Sequence, residues 1–128
     1  MKPKILIAED NKLTLALYTQ GLPSNLCDLK IVRDGEEALI AYKEWKPDII
    51  LLDHNMPVLN GYETLKTIRQ TLNDKTTIII MVTSSSDKDD IIACGKLGIQ
   101  GYVMKPFKTD EIALKIFTLY KSAKKAAS

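Results

Sequence analysis

The sequence is poor in cysteine, because its 128 residues contain only Cys27 and Cys94, which do not form a CxxC pair. This excludes a disulfide scaffold and a CxxC zinc or redox motif, and two reduced, partly buried thiols are the simpler interpretation. Long apolar runs are also absent, since none approaches the roughly 20 residues that span a bilayer. The apolar run after the basic N terminus, residues 5–8, is too short for a signal peptide. We therefore expect a cytoplasmic protein with no membrane partner.

The sequence has no strong excess of either charge, because 18 Lys and Arg residues stand against 16 Asp and Glu residues. Nucleic-acid-binding domains usually carry a basic patch, so this balance predicts no direct nucleic-acid binding. Glycine-rich phosphate loops are missing as well, since neither GxGxxG nor GxxxxGK followed by Ser or Thr occurs. A nucleotide-binding loop of either kind is therefore excluded.

The sequence does contain five short apolar runs, separated by amphipathic stretches, at residues 5–8, 29–32, 48–52, 78–82 and 101–104. Runs this short, continuous and rich in β-branched residues are typical of parallel strands that are covered on both faces. The alternation predicts one doubly wound α/β domain with a parallel sheet and helices on both sides. We place this domain at residues 1–122 and treat the Ala/Lys/Ser-rich residues 123–128 as a C-terminal tail.

Several amphipathic stretches begin at residues that suit helix N termini. Asn11, Asp34 and Ser86 have side chains that can accept hydrogen bonds from the first helical N–H groups. Asp34 also begins a capping-box pattern. Further helices are predicted for residues 61–72 and from Thr109 onward.

Polar residues follow four of the predicted strands, namely Glu9 and Asp10, Asp53, Thr83, and Lys105. In a sheet of this kind, ligand sites form at the carboxyl ends of the strands, where the strand order reverses. Three carboxylates at one edge repel one another, and a hard divalent cation such as Mg²⁺ relieves the repulsion. An aspartate, a divalent cation, a hydroxyl and a lysine are the groups that phosphoryl transfer to a carboxylate requires.

Taken one at a time, these residues have simpler explanations. The two acids after the first run suit the cap of the first helix. Lys105 could be an exposed lysine paired with a nearby acid, and Thr83 could merely end a β-branched strand. Their joint position at strand ends favours a shared site. His54, the only histidine, is interpreted as a solvent-facing side chain.

These residues belong to a longer ordered set, which comprises Glu9-Asp10, Asp53 with Met56-Pro57 and Gly61, Thr83, and Tyr102-x-x-Lys105-Pro106. Over residues 4–120 the set makes the sequence similar to the receiver domain of two-component response regulators, of the single-domain, chemotaxis-regulator-like kind. Each motif is weak alone, whereas the ordered set at strand ends is specific.

The resemblance implies a flavodoxin-like, doubly wound sheet of five parallel strands in the order 2-1-3-4-5, with five helices. It implies that Asp53 accepts a phosphoryl group from a phosphohistidine on a histidine kinase or histidine phosphotransfer protein. The implied Mg²⁺ ligands are Glu9, Asp10, Asp53 and the backbone carbonyl of Asn55. Lys105 and Thr83 would contact the phosphoryl group, and Tyr102 would turn inward with Thr83 as the switch.

The resemblance also implies a signalling domain rather than an ordinary enzyme, although such a domain catalyses its own phosphotransfer and dephosphorylation. Phosphorylation adds close to two negative charges, and we expect it to change partner binding through the 87–97 helix, strand five and the last helix. The downstream protein target stays open, as does the choice between a stand-alone protein and a fragment of a larger regulator or hybrid kinase. We expect a monomer or a weak, phosphorylation-dependent dimer.

Two positions depart from the family pattern. Asn60 stands where an aspartate is common, and Ser84 follows Thr83 where alanine or glycine is more usual. The larger polar side chain of Ser84 leaves access to the phosphoryl group and its lifetime open. Asn55 and Ser85 flank the site, where we expect them to tune hydrolysis.

Three other functions agree with parts of the pattern. A magnesium-dependent phosphohydrolase with an aspartyl nucleophile needs a second acid two residues further on, where this chain has Asn55. A flavodoxin-like module for a small phosphate ligand disagrees with the acidic first loop. An interaction domain that keeps the fold without phosphotransfer leaves little trace in one sequence and stays an alternative.

Overall fold

The computed structural model describes residues 2–84 and 87–127. Its sheet contains β1 (Lys4–Ala8), β2 (Asp28–Val32), β3 (Ile49–Leu52), β4 (Ile78–Thr83) and β5 (Gly101–Met104). The strands are arranged in the order β2-β1-β3-β4-β5, and every neighbouring pair is parallel. The predicted sheet is therefore confirmed in both its order and its direction.

Within the described residues the sheet is covered by α1 (Lys12–Gly21), α2 (Gly35–Trp45), α3 (Gly61–Lys66), α4 (Lys88–Leu97) and α5 (Thr109–Ala127). A π-helical segment, Thr67–Thr71, continues α3, so the single helix predicted over 61–72 changes its type halfway. Helix α5 continues through most of residues 123–128, the suggested tail, and the domain boundary at residue 122 stays a prediction. No helix in the described chain has the length and apolar character needed to cross a membrane.

Side-chain caps begin α1 and α2 as predicted. The Asn11 side chain accepts a hydrogen bond from Thr14 N at 3.0 Å, and the Asp34 carboxylate accepts one from Glu37 N at 2.8 Å. The Glu37 carboxylate accepts from Arg33 N at 3.1 Å rather than from the backbone of the capping residue. The predicted capping box of α2 is therefore closed one residue earlier in the chain.

The caps of α3 and α4 are formed by residues that the sequence analysis did not assign as caps. A complete capping box forms at α3, where Asn60 and Glu63 each accept from the other's backbone N–H. Ser86, the predicted cap of α4, lies outside the described residues. The structure assigns that cap to Asp87, whose carboxylate accepts from Asp89 N at 2.8 Å.

Each face of the sheet carries its own apolar core. One core lies beneath α1 and α5, and the other lies beneath α2, α3 and α4. All four residues of β3 and all six of β4 are buried, because these central strands contact both cores. This explains why their sequences are continuous apolar runs rather than alternating patterns.

The two cysteines lie in different cores. Cys27 belongs to the core beneath α1 and α5, and Cys94 belongs to the other. Both are free and buried, as expected. Burial raises the pKa of each thiol, so neither is activated as a nucleophile.

Candidate functional site

The strand register brings the residues that follow β1 and β3 side by side. Ala8 pairs with Leu52 in the β1–β3 ladder, and Asp53 N donates to Ala8 O at 3.1 Å. On the other side of β3, the carbonyl of Thr83 at the end of β4 accepts from Lys105 N at 2.9 Å. The carboxyl ends of β1, β3, β4 and β5 therefore meet at one edge of the sheet, as the sequence predicts.

Three carboxylates gather at this edge. One oxygen each of Glu9, Asp10 and Asp53 lies within 4.8 Å of the other two. Glu9 and Asp53 are only 1% and 6% exposed, whereas Asp10 is open to solvent. Lys105 Nζ lies 2.7 Å from Glu9 Oε1 and 3.2 Å from Asp53 Oδ2. We call these four residues the acidic pocket, and because one ammonium balances only one carboxylate, the pocket keeps an excess of negative charge.

Glu9 occupies surroundings that disfavour its charged form. Burial raises the pKa of Glu9, contact with Lys105 opposes this rise, and the charge of Asp53 adds to it. Asn11 N donates to Glu9 Oε2 at 3.1 Å. The other oxygen, Oε1, is buried and meets no described hydrogen-bond donor with good geometry beyond its ion pair with Lys105. A buried carboxylate oxygen with spare acceptor capacity suits a cation or a cation-bound water.

The ligand atoms of the acidic pocket fit a hard divalent cation. All of them are oxygens, and Mg²⁺ is usually bound by one or two carboxylates together with water and neutral oxygens. Among the described residues, Glu9, Asp10 and Asp53 form the one group of three His, Cys, Asp or Glu side chains able to hold a metal. Asn55 is exposed, and its N–H donates to Asp53 Oδ1 at 3.2 Å, so its backbone lies close to the pocket.

The two predicted switch residues lie on neighbouring strands in different surroundings. Thr83 is fully buried at the end of β4. Tyr102 is half-buried in β5, pairs with Met81 in the β4–β5 ladder, and packs against the core beneath α3 and α4. Burial raises the pKa of the Tyr102 phenol, and negative groups on and before α4 add to the rise. The Tyr102 side chain therefore lies on the α4 side of the sheet, outside the acidic pocket.

Gly61 allows α3 to begin directly against the loop that follows β3. A Cβ atom on Gly61 would overlap the carbonyl oxygen of Asp53 and lie 2.8 Å from His54 Cα. Gly61 N also donates to His54 O at 2.9 Å. The glycine of the motif is thus required for the close approach of two backbone segments.

His54 does not face solvent, and that expectation is wrong. Its side chain is 16% exposed, and Nε2 lies 3.5 Å from Oδ2 of Asp90 in the first turn of α4. The sequence could not show this contact, because it depends on where α4 lies relative to the loop after β3.

A second polar cluster, which the sequence analysis missed, lies at the amino end of the sheet. The buried Arg69 donates through Nε to Gly98 O and through Nη2 to Thr77 O, both at 2.8 Å. The Tyr42 hydroxyl donates to the Asp74 carboxylate, although these residues stand 32 positions apart. No local motif could have revealed contacts that span such distances in the sequence.

Comparisons with known proteins agree with this geometry. The family model for the response regulator receiver domain matches residues 5–117. The chain is 32% identical over 116 residues to the DNA-binding response regulator MtrA of Mycolicibacterium smegmatis, covering 91% of this chain and 50% of MtrA. The chain thus spans about half the length of the curated relatives it matches.

Solved structures show the same fold. The receiver domain of Francisella response regulator 1452 superposes with a TM-score of 0.82 at 31% identity, covering 94% of this chain and 98% of that one. The chemotaxis response regulator CheY4 of Vibrio cholerae superposes with a TM-score of 0.81 at 28% identity, covering 94% and 99%. The resemblance inferred from the ordered motifs is therefore confirmed.

The comparisons contradict one expectation about partners. The balanced charge predicted no direct nucleic-acid binding, yet the matched relatives include DNA-binding response regulators. The prediction failed because the net charge of this chain describes only its own surface. It carries no information about the half of those relatives that the chain does not span.

Proposed function

Because the chain belongs to the response regulator receiver domain family of two-component systems, we propose that it is a phosphoacceptor and that Asp53 receives the phosphoryl group. The observation that carries this proposal is the position of Lys105, whose ammonium lies 3.2 Å from the buried Asp53 carboxylate, beside two further acids. A buried aspartate with a lysine and a metal-binding acid pair matches the needs of phosphoryl transfer to a carboxylate.

In the proposed reaction, an Asp53 oxygen attacks the phosphorus of a phosphohistidine on a kinase or phosphotransfer protein. An O–P bond forms, the N–P bond breaks, and the electron pair returns to the imidazole of the donor. Asn55 N and Lys105 Nζ contact different oxygens of Asp53, so they fix the orientation of the carboxylate. Such positioning is a large part of catalysis in phosphoryl transfer.

Glu9, Asp10, Asp53 and the backbone carbonyl of Asn55 are the residues that would hold Mg²⁺. When bound, the cation would supply positive charge to the oxygens of the phosphoryl group. Lys105 provides the same kind of stabilisation from this chain, since its ammonium can leave the Asp53 carboxylate and pair with a phosphoryl oxygen. Glu9 holds Lys105 in place from the other side, at 2.7 Å.

The proposed signal is a change in the population of two states. A phosphoryl group adds close to two negative charges and several acceptor oxygens. The hydroxyl of Thr83, at the end of the strand beside β3, would bond one of these oxygens, and Tyr102 would move inward with it. Contacts that exist in one state only favour that state by their interaction energy. The surface that changes would comprise α4, β5 and α5, which we propose as the face that binds the downstream target.

The downstream target is a separate question. MtrA is a DNA-binding response regulator. The similarity of this chain to MtrA therefore favours a role in which the receiver domain controls DNA binding.

Incubation with acetyl phosphate and Mg²⁺, followed by intact-mass measurement, tests the proposal. We expect one phosphoryl adduct in the unaltered chain, none in Asp53→Asn, and an unchanged adduct in Asp89→Asn, whose side chain is exposed on α4. No adduct with a competent donor would favour an interaction domain without phosphotransfer. An adduct that persists in Asp53→Asn would assign the reaction to another residue.

A further inference from the structure

Helix α4 is held to the rest of the molecule by few buried contacts. Of its ten residues, all of them described, only Cys94 is buried. At its carboxyl end the buried Arg69 donates through Nε to Gly98 O at 2.8 Å. At its amino end, Asp90 Oδ2 lies 3.5 Å from His54 Nε2. The two ends are therefore fixed by different kinds of contact.

The contact at the carboxyl end is buried and multiple. Besides Gly98 O, Arg69 donates to the carbonyls of Asp74 and Thr77 and to Oε1 of Gln100, at 2.8 to 3.1 Å. Removing a buried guanidinium that donates four hydrogen bonds leaves several acceptors unsatisfied. This end of α4 is thus bound firmly to the amino end of the sheet.

The contact between His54 and Asp90 at the amino end is partly exposed. The Asp90 side chain is 39% exposed, and the His54 ring is mostly covered. The backbone of His54 is fixed, because its carbonyl accepts from Gly61 N at 2.9 Å. The imidazole therefore extends from a rigid loop, one residue after Asp53, to the first turn of a loosely packed helix.

We propose that His54 is a positioning residue that links the loop carrying Asp53 to the first turn of α4. The pair exists in this arrangement of α4, and any displacement of that turn away from the loop must break it. It therefore favours this arrangement over the alternative. The regulatory part of the inference rests on the proposed function, because it treats α4 as an element that responds to phosphorylation of Asp53.

A partly exposed contact between two polar side chains is weak, so the His54–Asp90 pair should bias the position of the helix rather than lock it. Pairs of this kind shift an equilibrium by roughly two- to five-fold. The bias should concentrate near residues 88–91, where the pair lies, and fade toward Gly98, where Arg69 holds the helix.

Amide hydrogen exchange in the unmodified protein tests the pair directly. We expect His54→Asn and Asp90→Asn each to raise exchange of amides in the first half of α4 by roughly two- to five-fold. Exchange in the double variant should be about as fast as in the faster single variant. The two effects should not multiply, since both substitutions remove the same contact. His54→Gln keeps an N–H group that can reach Asp90 and should restore slow exchange.

Asp89→Asn is the matched control, because it also removes an acid from the first turn of α4 but stands outside the pair. The link is overturned if Asp90→Asn behaves like Asp89→Asn, or if the effects of the His54 and Asp90 variants simply multiply. Equal global stability in urea for all variants would separate a local link from general loosening.

Titration with beryllofluoride and Mg²⁺ then tests the regulatory part. We expect Asp90→Asn and His54→Asn to bind this phosphoryl mimic roughly two- to five-fold more tightly than the unaltered chain. Each substitution removes a contact that stabilises only the arrangement of α4 in the unmodified protein. Faster exchange without tighter binding would overturn the regulatory part. If the unaltered chain binds no mimic at Asp53, the proposed function fails, while the exchange result still decides whether the link exists.

Discussion

Lys105 Nζ lies closer to Glu9 than to Asp53, at 2.7 Å from Glu9 Oε1 and 3.2 Å from Asp53 Oδ2. The ammonium is therefore shared between two buried acids. A cation bound at the acidic pocket would share oxygens with Lys105, since both positive groups need the same carboxylates.

Replacement of Lys105 by methionine should strengthen Mg²⁺ binding while it weakens the response to the phosphoryl group. Even when screened by water, two unit charges about 4 Å apart interact by roughly 1 kcal/mol, so an increase in Mg²⁺ affinity of about five-fold or more is expected. Calorimetric titration measures this affinity, with the exposed Lys108→Met as control. Weaker Mg²⁺ binding in Lys105→Met would mean that the lysine organises the pocket rather than competing with the cation.

Gly61→Ala should destabilise the fold and slow phosphorylation, because the new Cβ would overlap the Asp53 carbonyl and force the loop away. Gly95→Ala is the matched control, since a Cβ there meets no atom within 4 Å. In the interior of α4 that change should stabilise the protein by about 0.5–1 kcal/mol. Urea unfolding distinguishes the two variants, and equal effects of the same sign would contradict the close approach at Gly61.

Val58 should be a site where a smaller residue stabilises the protein. It has φ of 68°, and Leu59 N donates to Pro57 O at 2.8 Å, which closes a three-residue γ-turn around it. Positive φ is strained for a β-branched residue. Val58→Gly should therefore raise the free energy of unfolding by about 1 kcal/mol, after the entropy cost of glycine in the unfolded chain.

The control for Val58→Gly is a substitution that introduces valine at another position with positive φ. Asn73 has φ of 54°, a conformation that asparagine tolerates. Asn73→Val should lower the free energy of unfolding by a similar amount. A loss of stability in Val58→Gly would show that the valine side chain has contacts that outweigh its strain.

Asp74 should contribute to acid sensitivity. Burial works against its charge, but hydrogen bonds from Thr77, Tyr42 and Thr76 outweigh this and hold the pKa of Asp74 well below its ordinary value of 3.8. A carboxyl group whose pKa is lower in the folded state than in the unfolded state stabilises the protein at pH values above 3.8. This contribution is lost as the pH falls through the pKa of the folded state.

Asp74→Asn should therefore cost about 1–3 kcal/mol at neutral pH, and its difference from the unaltered chain should shrink as the pH falls below about 4. Urea unfolding over a range of pH measures this, with the exposed Asp110→Asn as control. A difference that stays constant down to low pH would assign the cost to lost packing instead of lost charge.

The fold could be predicted because its causes are local in the sequence. The continuous apolar runs of β3 and β4 follow from burial on both faces, and the alternation of elements leaves few topologies. The acidic pocket was predictable for a related reason. Glu9, Asp53 and Lys105 each follow a strand, and parallel strands end at one edge.

The remaining features depend on contacts between distant segments. The position of His54 near Asp90 depends on how α4 packs, and the Tyr42–Asp74 hydrogen bond joins residues 32 positions apart. The left-handed backbone of Val58 contradicts the usual preference of valine, so local propensity points away from it. Such features follow from the assembled structure and not from any one stretch of sequence.

Chemical mapping of the phosphorylated residue tests the central claim most directly. After reaction with acetyl phosphate and Mg²⁺, borohydride reduction converts an aspartyl phosphate to a stable alcohol, and peptide mass spectrometry locates it. We expect the modification at Asp53 alone, and only when Mg²⁺ is present. Modification at Asp10 or elsewhere, or a yield at Asp53 that does not depend on Mg²⁺, would contradict a metal-assisted acceptor at the acidic pocket.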